Sequence, residues 1–283
     1  MTGLPEIGNV KLDDTRLSYL HWPSEGEPLI LLHATGFLPW LWHPIAMKLW
    51  PKYRIIAPYL CDHREADPHE GGLDWYQLAW DMSSLLDELE IERPYLAGHS
   101  MGGTVLAIAE ANFDIQARAM VLIEPIFLLQ EIYGLEMTVD DHPLASRSIR
   151  RTNHWPDRDE ARRYLESSPL FGSWHKETRD LYLEHGMVEE DGGVRLACSP
   201  RMEAAIFMGG LRYDPWPAFP LIKCPVLVVE GEKSTNRQYV NLPKAAAAIP
   251  GGKHLLIPEA GHLLPMEDPF RVAQIIADFF LNT

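Results

Sequence analysis

Short, nearly continuous apolar runs recur along this chain, and between them lie stretches with apolar residues three and four apart. The runs are Leu17-Ser-Tyr-Leu-His-Trp, Pro28-Leu-Ile-Leu-Leu-His, Tyr53-Arg-Ile-Ile-Ala-Pro, Arg93-Pro-Tyr-Leu-Ala-Gly, Ala119-Met-Val-Leu-Ile-Glu, Pro225-Val-Leu-Val-Val-Glu and His254-Leu-Leu-Ile-Pro. A half-buried strand would alternate apolar and polar residues, so continuous runs predict strands covered on both faces. Trp75 to Glu90 sets Leu78, Met82, Leu85, Leu86 and Leu89 on one helical face, and Thr104-Val-Leu-Ala-Ile-Ala-Glu-Ala and Phe270 to Phe280 also read as helices. Strands alternating with helices predict an α/β fold, with parallel strands joined by crossover helices.

The rhythm breaks between about Phe127 and Phe219, a stretch rich in charge, proline and tryptophan. Two segments there, Asp157 to Ser167 and Glu177 to His185, are amphipathic at helical spacing, and no clear strand is visible. So long a stretch without structure of its own is uncommon in a compact domain. The expected organisation is a core of residues 1–126 and 220–283, with residues 127–219 inserted as a helical cap over the sheet edge. Neither internal repeats nor low-complexity segments appear.

Composition narrows the partners. The 283 residues carry a formal net charge of −15, which argues against nucleic acid or an anionic membrane. The three cysteines (Cys61, Cys198, Cys224) are scattered without metal-ligand spacing, so reduced thiols and no metal site are expected. Met-Thr-Gly-Leu-Pro-Glu-Ile-Gly at the start has neither the basic segment nor the apolar core of a signal peptide. No apolar run reaches the ~18 residues of a membrane span. The expectation is a cytoplasmic protein whose partner is a small-molecule substrate, with its oligomeric state left open.

Gly98-His99-Ser100-Met101-Gly102-Gly103 carries the chemistry. It fits Gly-x-Ser-x-Gly, and it stands between an expected strand and an expected helix, the context of a nucleophile elbow. A bare match arises by chance and would be a tight turn with an idle serine; the flanking elements weigh against that. Small residues at 98 and 102 suit the close passage of the two backbones. A serine hydroxyl needs a base to act as a nucleophile. Of 12 histidines, His262 is the candidate, because it follows the last strand in a glycine loop and precedes the closing helix. The imidazole in turn needs an acid to hold its tautomer and balance its charge. The turn after the late strand reads Gly231-Glu232-Lys233-Ser234, with serine where an aspartate would serve. Glu124 ends the strand that follows the elbow helix, and neighbouring strands lie about 4.8 Å apart, so it is the preferred acid. Glu230 and Glu232 are the other candidates, and a structural role for Glu124 as a cap is the plain alternative. The oxyanion hole should use the backbone N–H of Met101 and one from His33-Ala34-Thr35-Gly36-Phe37: Thr35 first, then Gly36 or Phe37. His33 is expected to pack and orient this loop.

Together these residues resemble the α/β-hydrolase superfamily over essentially the whole chain. The resemblance implies a mostly parallel eight-stranded sheet flanked by helices, an inserted cap, an acyl-enzyme mechanism and no cofactor. An acid at Glu124 is similar to the arrangement in one branch of haloalkane dehalogenases and in some polyketide-associated thioesterases. Those dehalogenases and the epoxide hydrolases use an aspartate nucleophile, against which Ser100 speaks. Two departures stand out. Many members carry Asp-x-x-Gly-x-Gly-x-Ser where this chain has Tyr59-Leu-Cys-Asp-His-Arg-Glu-Ala66, keeping only His63, and Ala34 stands where glycine is usual.

Phe37, Trp40 and Phe127 are expected to face the pocket, with Trp42 nearby and Trp155, Trp174 and Trp216 in the cap. An aromatic pocket would suit an apolar acyl group, although core packing explains any one of these residues equally well. Arg147, Arg150 and Arg151 could meet a carboxylate or phosphate, or simply face solvent. The expected activity is hydrolysis of a carboxylic ester or thioester of a small, largely apolar acyl substrate by Ser100, His262 and Glu124. Carbon–carbon hydrolysis of a β-diketone-like substrate and a non-catalytic ligand-binding role are the alternatives.

Overall fold

A computed structural model describes residues 3–61 and 63–283. Eleven strands follow in chain order: β1 (Glu6–Lys11), β2 (Arg16–Trp22), β3 (Glu27–Leu32), β4 (Tyr53–Pro58), β5 (Tyr95–His99), β6 (Ala119–Ile123), β7 (His154–Trp155), β8 (Met187–Glu190), β9 (Gly193–Leu196), β10 (Val226–Gly231) and β11 (Lys253–Ile257). Eight form one sheet in the order β1-β2-β4-β3-β5-β6-β10-β11. Only β1 and β2 pair antiparallel to their neighbours; from β4 onward every pairing is parallel. The protein therefore has the expected α/β-hydrolase fold.

Both faces of this sheet are covered, as the continuous apolar runs require. Successive residues point to opposite faces, so Ile30 and Leu32 of β3 join the apolar cluster under helices Trp75–Glu88, Met101–Asn112 and Leu242–Ala248. Leu29 and Leu31 join the cluster under helices His43–Leu49 and Pro269–Leu281. Each such side chain contributes about 2 kcal/mol by leaving water. Strand β1 was missed by the sequence reading, because it is an edge strand with a mostly exposed pattern and no apolar run.

Between β6 and β10 the chain leaves the sheet. Helices Arg158–Ser167 and Lys176–His185 match the two expected ones, but the stretch is not purely helical. Strands β7, β9 and β8 form a separate three-stranded antiparallel sheet. Glu190 pairs with Gly193, which leaves Asp191-Gly192 as a two-residue turn, and Gly192 has φ +84°. Asp-Gly is a strong hairpin signal, here obscured by the polar residues around it. The insertion is fastened to the sheet domain on two sides. His175 N–H donates to the Met266 carbonyl, and the Trp75 indole donates to the Ile206 carbonyl. No helix among the described residues is long and apolar enough to cross a membrane.

The elbow shows why small residues stand at 98 and 102. A Cβ on Gly102 would lie 2.4 Å from the Leu32 carbonyl oxygen, and one on Gly98 would lie 2.6 Å from the backbone of Gly102. The helix following the serine is thus pressed against β3 and β5 by backbone contact. Gly102→Ala should force these backbones apart and cost about 2 kcal/mol, read as a melting temperature several degrees lower; an unchanged melting temperature would refute this close contact.

Candidate active site

Register places the elbow serine beside the glutamate. On adjacent strands His99 pairs with Ile123, so the next residues, Ser100 and Glu124, leave the sheet side by side. Ser100 has φ +56°, ψ −120°, a region costly for a residue with a side chain. Its N–H donates to the Ile123 carbonyl (2.9 Å), and its carbonyl accepts from Thr104 N–H (3.2 Å). The Thr104 hydroxyl donates to the Ile126 carbonyl (3.1 Å) and accepts from Ile126 N–H (2.9 Å). The helix after Ser100 and the segment after Glu124 are thereby tied together.

His262 completes a row of side chains. Its Nε2 is 3.1 Å from Ser100 Oγ, and its Nδ1 is 2.9 Å from Glu124 Oε2. Ser100 is 7% exposed, Glu124 2% and the His262 side chain 22%, so the row is shielded and open chiefly at the imidazole. Glu124, at φ +52°, accepts at Oε1 from Gly231 N–H (2.6 Å) and at Oε2 from the Ser234 hydroxyl (2.5 Å). These donors offset the cost of burying a carboxylate. The Asn236 carboxamide lies 2.9 Å from the same Nδ1. That nitrogen holds one proton, and the charged carboxylate is the stronger acceptor for it. The structure places Asn236 Nδ2 at that point, so an Nδ1–H there calls for the carboxamide turned to face the ring with its oxygen.

The competing carboxylates lie elsewhere. Glu230 pairs with His254 (2.8 Å) and Arg237 (3.1 Å), and Glu232 accepts from Glu259 N–H (3.0 Å). Sequence reasoning missed Ser234 and Asn236 as members of this cluster. The signal for Ser234 was its seat in the expected acid position; Asn236 gave none. It also missed His99, whose Nε2–H donates to the His262 carbonyl (2.8 Å) and holds the histidine loop from below.

The candidate oxyanion donors converge less completely. Phe37 N–H donates to the Ala34 carbonyl (3.2 Å), which removes Phe37 from the set. The N–H groups of Met101, Thr35 and Gly36 are not engaged by other partners among the described residues. His33 orients their loop, as expected: Nδ1–H donates to the Ala34 carbonyl (2.8 Å), and Nε2 accepts from Leu60 N–H (3.0 Å). In the divergent loop nearby, His63 and Arg64 converge on the buried Asp81; Asp62 lies outside the described residues.

The aromatic expectations divide. Phe37 meets the insertion edge-on at Trp174 (5.3 Å between ring centres) and Tyr182 (6.1 Å). Trp40 instead stacks flat on His185 at 3.6 Å, and Phe127, 0% exposed, packs against Phe219. Each therefore has at least one ring face packed against a neighbour. Arg147 and Arg150 lie on the short helix and turn at 145–150 without reaching this row, whereas Arg151 pairs with Glu203.

A serine, imidazole and carboxylate in hydrogen-bonded sequence on this fold can transfer an acyl group. The sequence profile of the alpha/beta hydrolase family matches residues 29–275. The chain belongs to this family. It is 25% identical over 262 residues to 2-(acetamidomethylene)succinate hydrolase of Mesorhizobium japonicum, covering 90% of this chain and 88% of that one. The crystal structure of E-2-(acetamidomethylene)succinate hydrolase superposes with a TM-score of 0.82 at 23% identity, covering 99% of this hydrolase and 100% of that chain. A thioesterase domain from the curacin biosynthetic pathway superposes with a TM-score of 0.77 at 18% identity, covering 96% and 99%.

Two expectations follow for the hydrolase. Glu124→Gln should lower turnover by about 10²–10⁴-fold, while Glu232→Gln should leave it nearly unchanged; steady-state kinetics showing equal losses would contradict the geometry. Burial pushes His33 down to about 4 from its ordinary 6.5, and burial with His262 beside it holds His99 well below 6.5. Between those values the unfolded chain binds more protons, so stability should fall as pH drops from about 6.5 toward 4. The His33 part, roughly 3 kcal/mol at most, is fully lost below about 4. Denaturation midpoints across this range should decline less steeply in His33→Asn than in the parent; an identical slope would remove His33 as a source.

Proposed function

We propose that this protein is a serine hydrolase that cleaves a carboxylic ester or thioester of a small, largely apolar acyl compound through an acyl-enzyme intermediate. The observation that carries this reading is the continuous row from Ser100 Oγ through both nitrogens of His262 to Glu124 Oε2. As Oγ attacks the carbonyl carbon, its proton passes to Nε2 and the carbonyl electron pair moves onto oxygen. That oxygen accepts N–H bonds from Met101 and from Thr35 or Gly36, an arrangement typically worth about 10²–10³ in rate per donor. Glu124 balances the imidazolium. Collapse breaks the bond to the leaving group, which takes the proton from Nε2. Water then repeats the sequence on the acyl-serine, with His262 again the base, and frees the acid. The thioesterase and the succinate-derivative hydrolase that this chain resembles support acyl chemistry in general.

The test is a panel of aryl esters and acyl thioesters of rising chain length, assayed beside Ser100→Ala. The parent protein should exceed this variant by about 10⁴-fold or more on its best substrate, and a fluorophosphonate should label Ser100. Equal rates, or no labelling, would overturn the assignment.

A further inference from the structure

A ring of contacts closes over the loop that holds Thr35 and Gly36. Gly36 has φ +76°, and a Cβ built on it would lie 2.2 Å from Glu203 Oε1, so the Glu203 carboxylate sits directly on the loop. Its Oε2 pairs with Arg151 Nη1 at 2.5 Å. Arg151 Nη2 donates to the Tyr182 hydroxyl at 3.3 Å. The Tyr182 and Trp174 rings pack edge-on against each other and against Phe37, the residue after Gly36.

This ring holds more hydrogen-bond donors than its contacts among the described residues use. Arg151 has five N–H groups, of which the two contacts above engage one each. The Tyr182 hydroxyl accepts from Arg151 and keeps its own O–H free to donate. The Trp174 indole N–H is buried, with the residue 3% exposed, and has no partner among the described residues. A buried donor left without an acceptor is costly and is satisfied when a ligand supplies one. Burial works against the guanidinium charge, but Tyr182 and Glu203 outweigh it and hold the group well above its ordinary range, so Arg151 remains a cation. Its side chain is 23% exposed, and a guanidinium fork matches a carboxylate in two-point geometry. The chain as a whole carries −15 and repels anions at a distance, so an anion would be bound here through local donors.

We propose that the substrate carries a carboxylate a few bonds from the cleaved carbonyl, and that Arg151, with the Trp174 N–H, receives it. The inference rests on the serine-hydrolase reading and adds a charge requirement to it. Glu203 keeps the guanidinium over Gly36, so the carboxylate is held on the side of the carbonyl oxygen.

The experiment compares kcat/KM for the monophenyl esters of glutaric and adipic acid with phenyl pentanoate and phenyl hexanoate, with spontaneous hydrolysis subtracted. The parent protein should favour the carboxylate esters by about tenfold to a hundredfold, the worth of one charge-assisted contact. Arg151→Gln should bring this ratio close to one, and Arg151→Lys should restore part of it. No preference in the parent, or an unchanged ratio in Arg151→Gln, would overturn the proposal. If Arg151→Gln melts early, Trp174→Phe serves instead: a lowered ratio supports the subsite, and an unchanged one refutes it. Fluorophosphonate labelling of Ser100 in the parent is run alongside. Labelling without carboxylate preference defeats this inference alone; absence of labelling defeats the hydrolase reading on which it stands.

Discussion

The Glu124 carboxylate sets the terms for the rest of the site. A charge buried this deeply must be met by donors on every side, and its donors come from three separate parts of the chain: Gly231 at the end of β10, Ser234 in the turn that follows, and His262 after β11. They meet only because β6 lies between β5 and β10 in one register. A slip of a single residue would turn Glu124 to the opposite face of the sheet and leave all three without it. The buried charge therefore demands the strand order, and the strand order aligns the serine, the imidazole and the carboxylate.

Around this polar centre the remaining forces are apolar and close-packed. The glycine backbones at 98 and 102 bring the helix after Ser100 against β3 and β5. From the other side the insertion presses Trp174 and Tyr182 onto Phe37, and His185 onto Trp40. The walls are mostly aromatic framework, and polarity enters at few points. Those points are the imidazole, the backbone of the loop at Thr35 and Gly36, and the Arg151–Glu203 pair.

Legibility in the sequence followed the length over which a signal acts. The buried strands, the serine elbow, the histidine loop and Glu124 at a strand end all declare themselves within a few residues. Each is a short-range pattern whose flanking elements favour one reading over the alternatives. Strand β1 did not, since an exposed edge strand has no apolar run to show. The β8–β9 hairpin was written in Asp191-Gly192 but surrounded by charge. Asn236, His99 and Glu203 act on partners 26, 163 and 167 residues away in the chain or on a glycine's empty side, and no local pattern encodes such meetings. Phe127 and Trp40 show a related limit of local pattern: an aromatic residue near a site looks the same in sequence whether its face meets a ligand or another ring, and here each meets a ring.

The turn after β10 carries a serine and an asparagine next to the imidazole, while the negative charge itself sits at the end of a central strand. Strand ends in the middle of a sheet are among the last parts of a protein to open, whereas surface turns fluctuate readily. The carboxylate end of the contact between charge and imidazole is consequently set by the slow, stiff part of the molecule. Fluctuations of the turn change how the pair is solvated and hydrogen-bonded, but they do not carry the charge away with them. In this arrangement the electrostatics of the site and the mobility of its rim are separate properties, and each is open to change without the other.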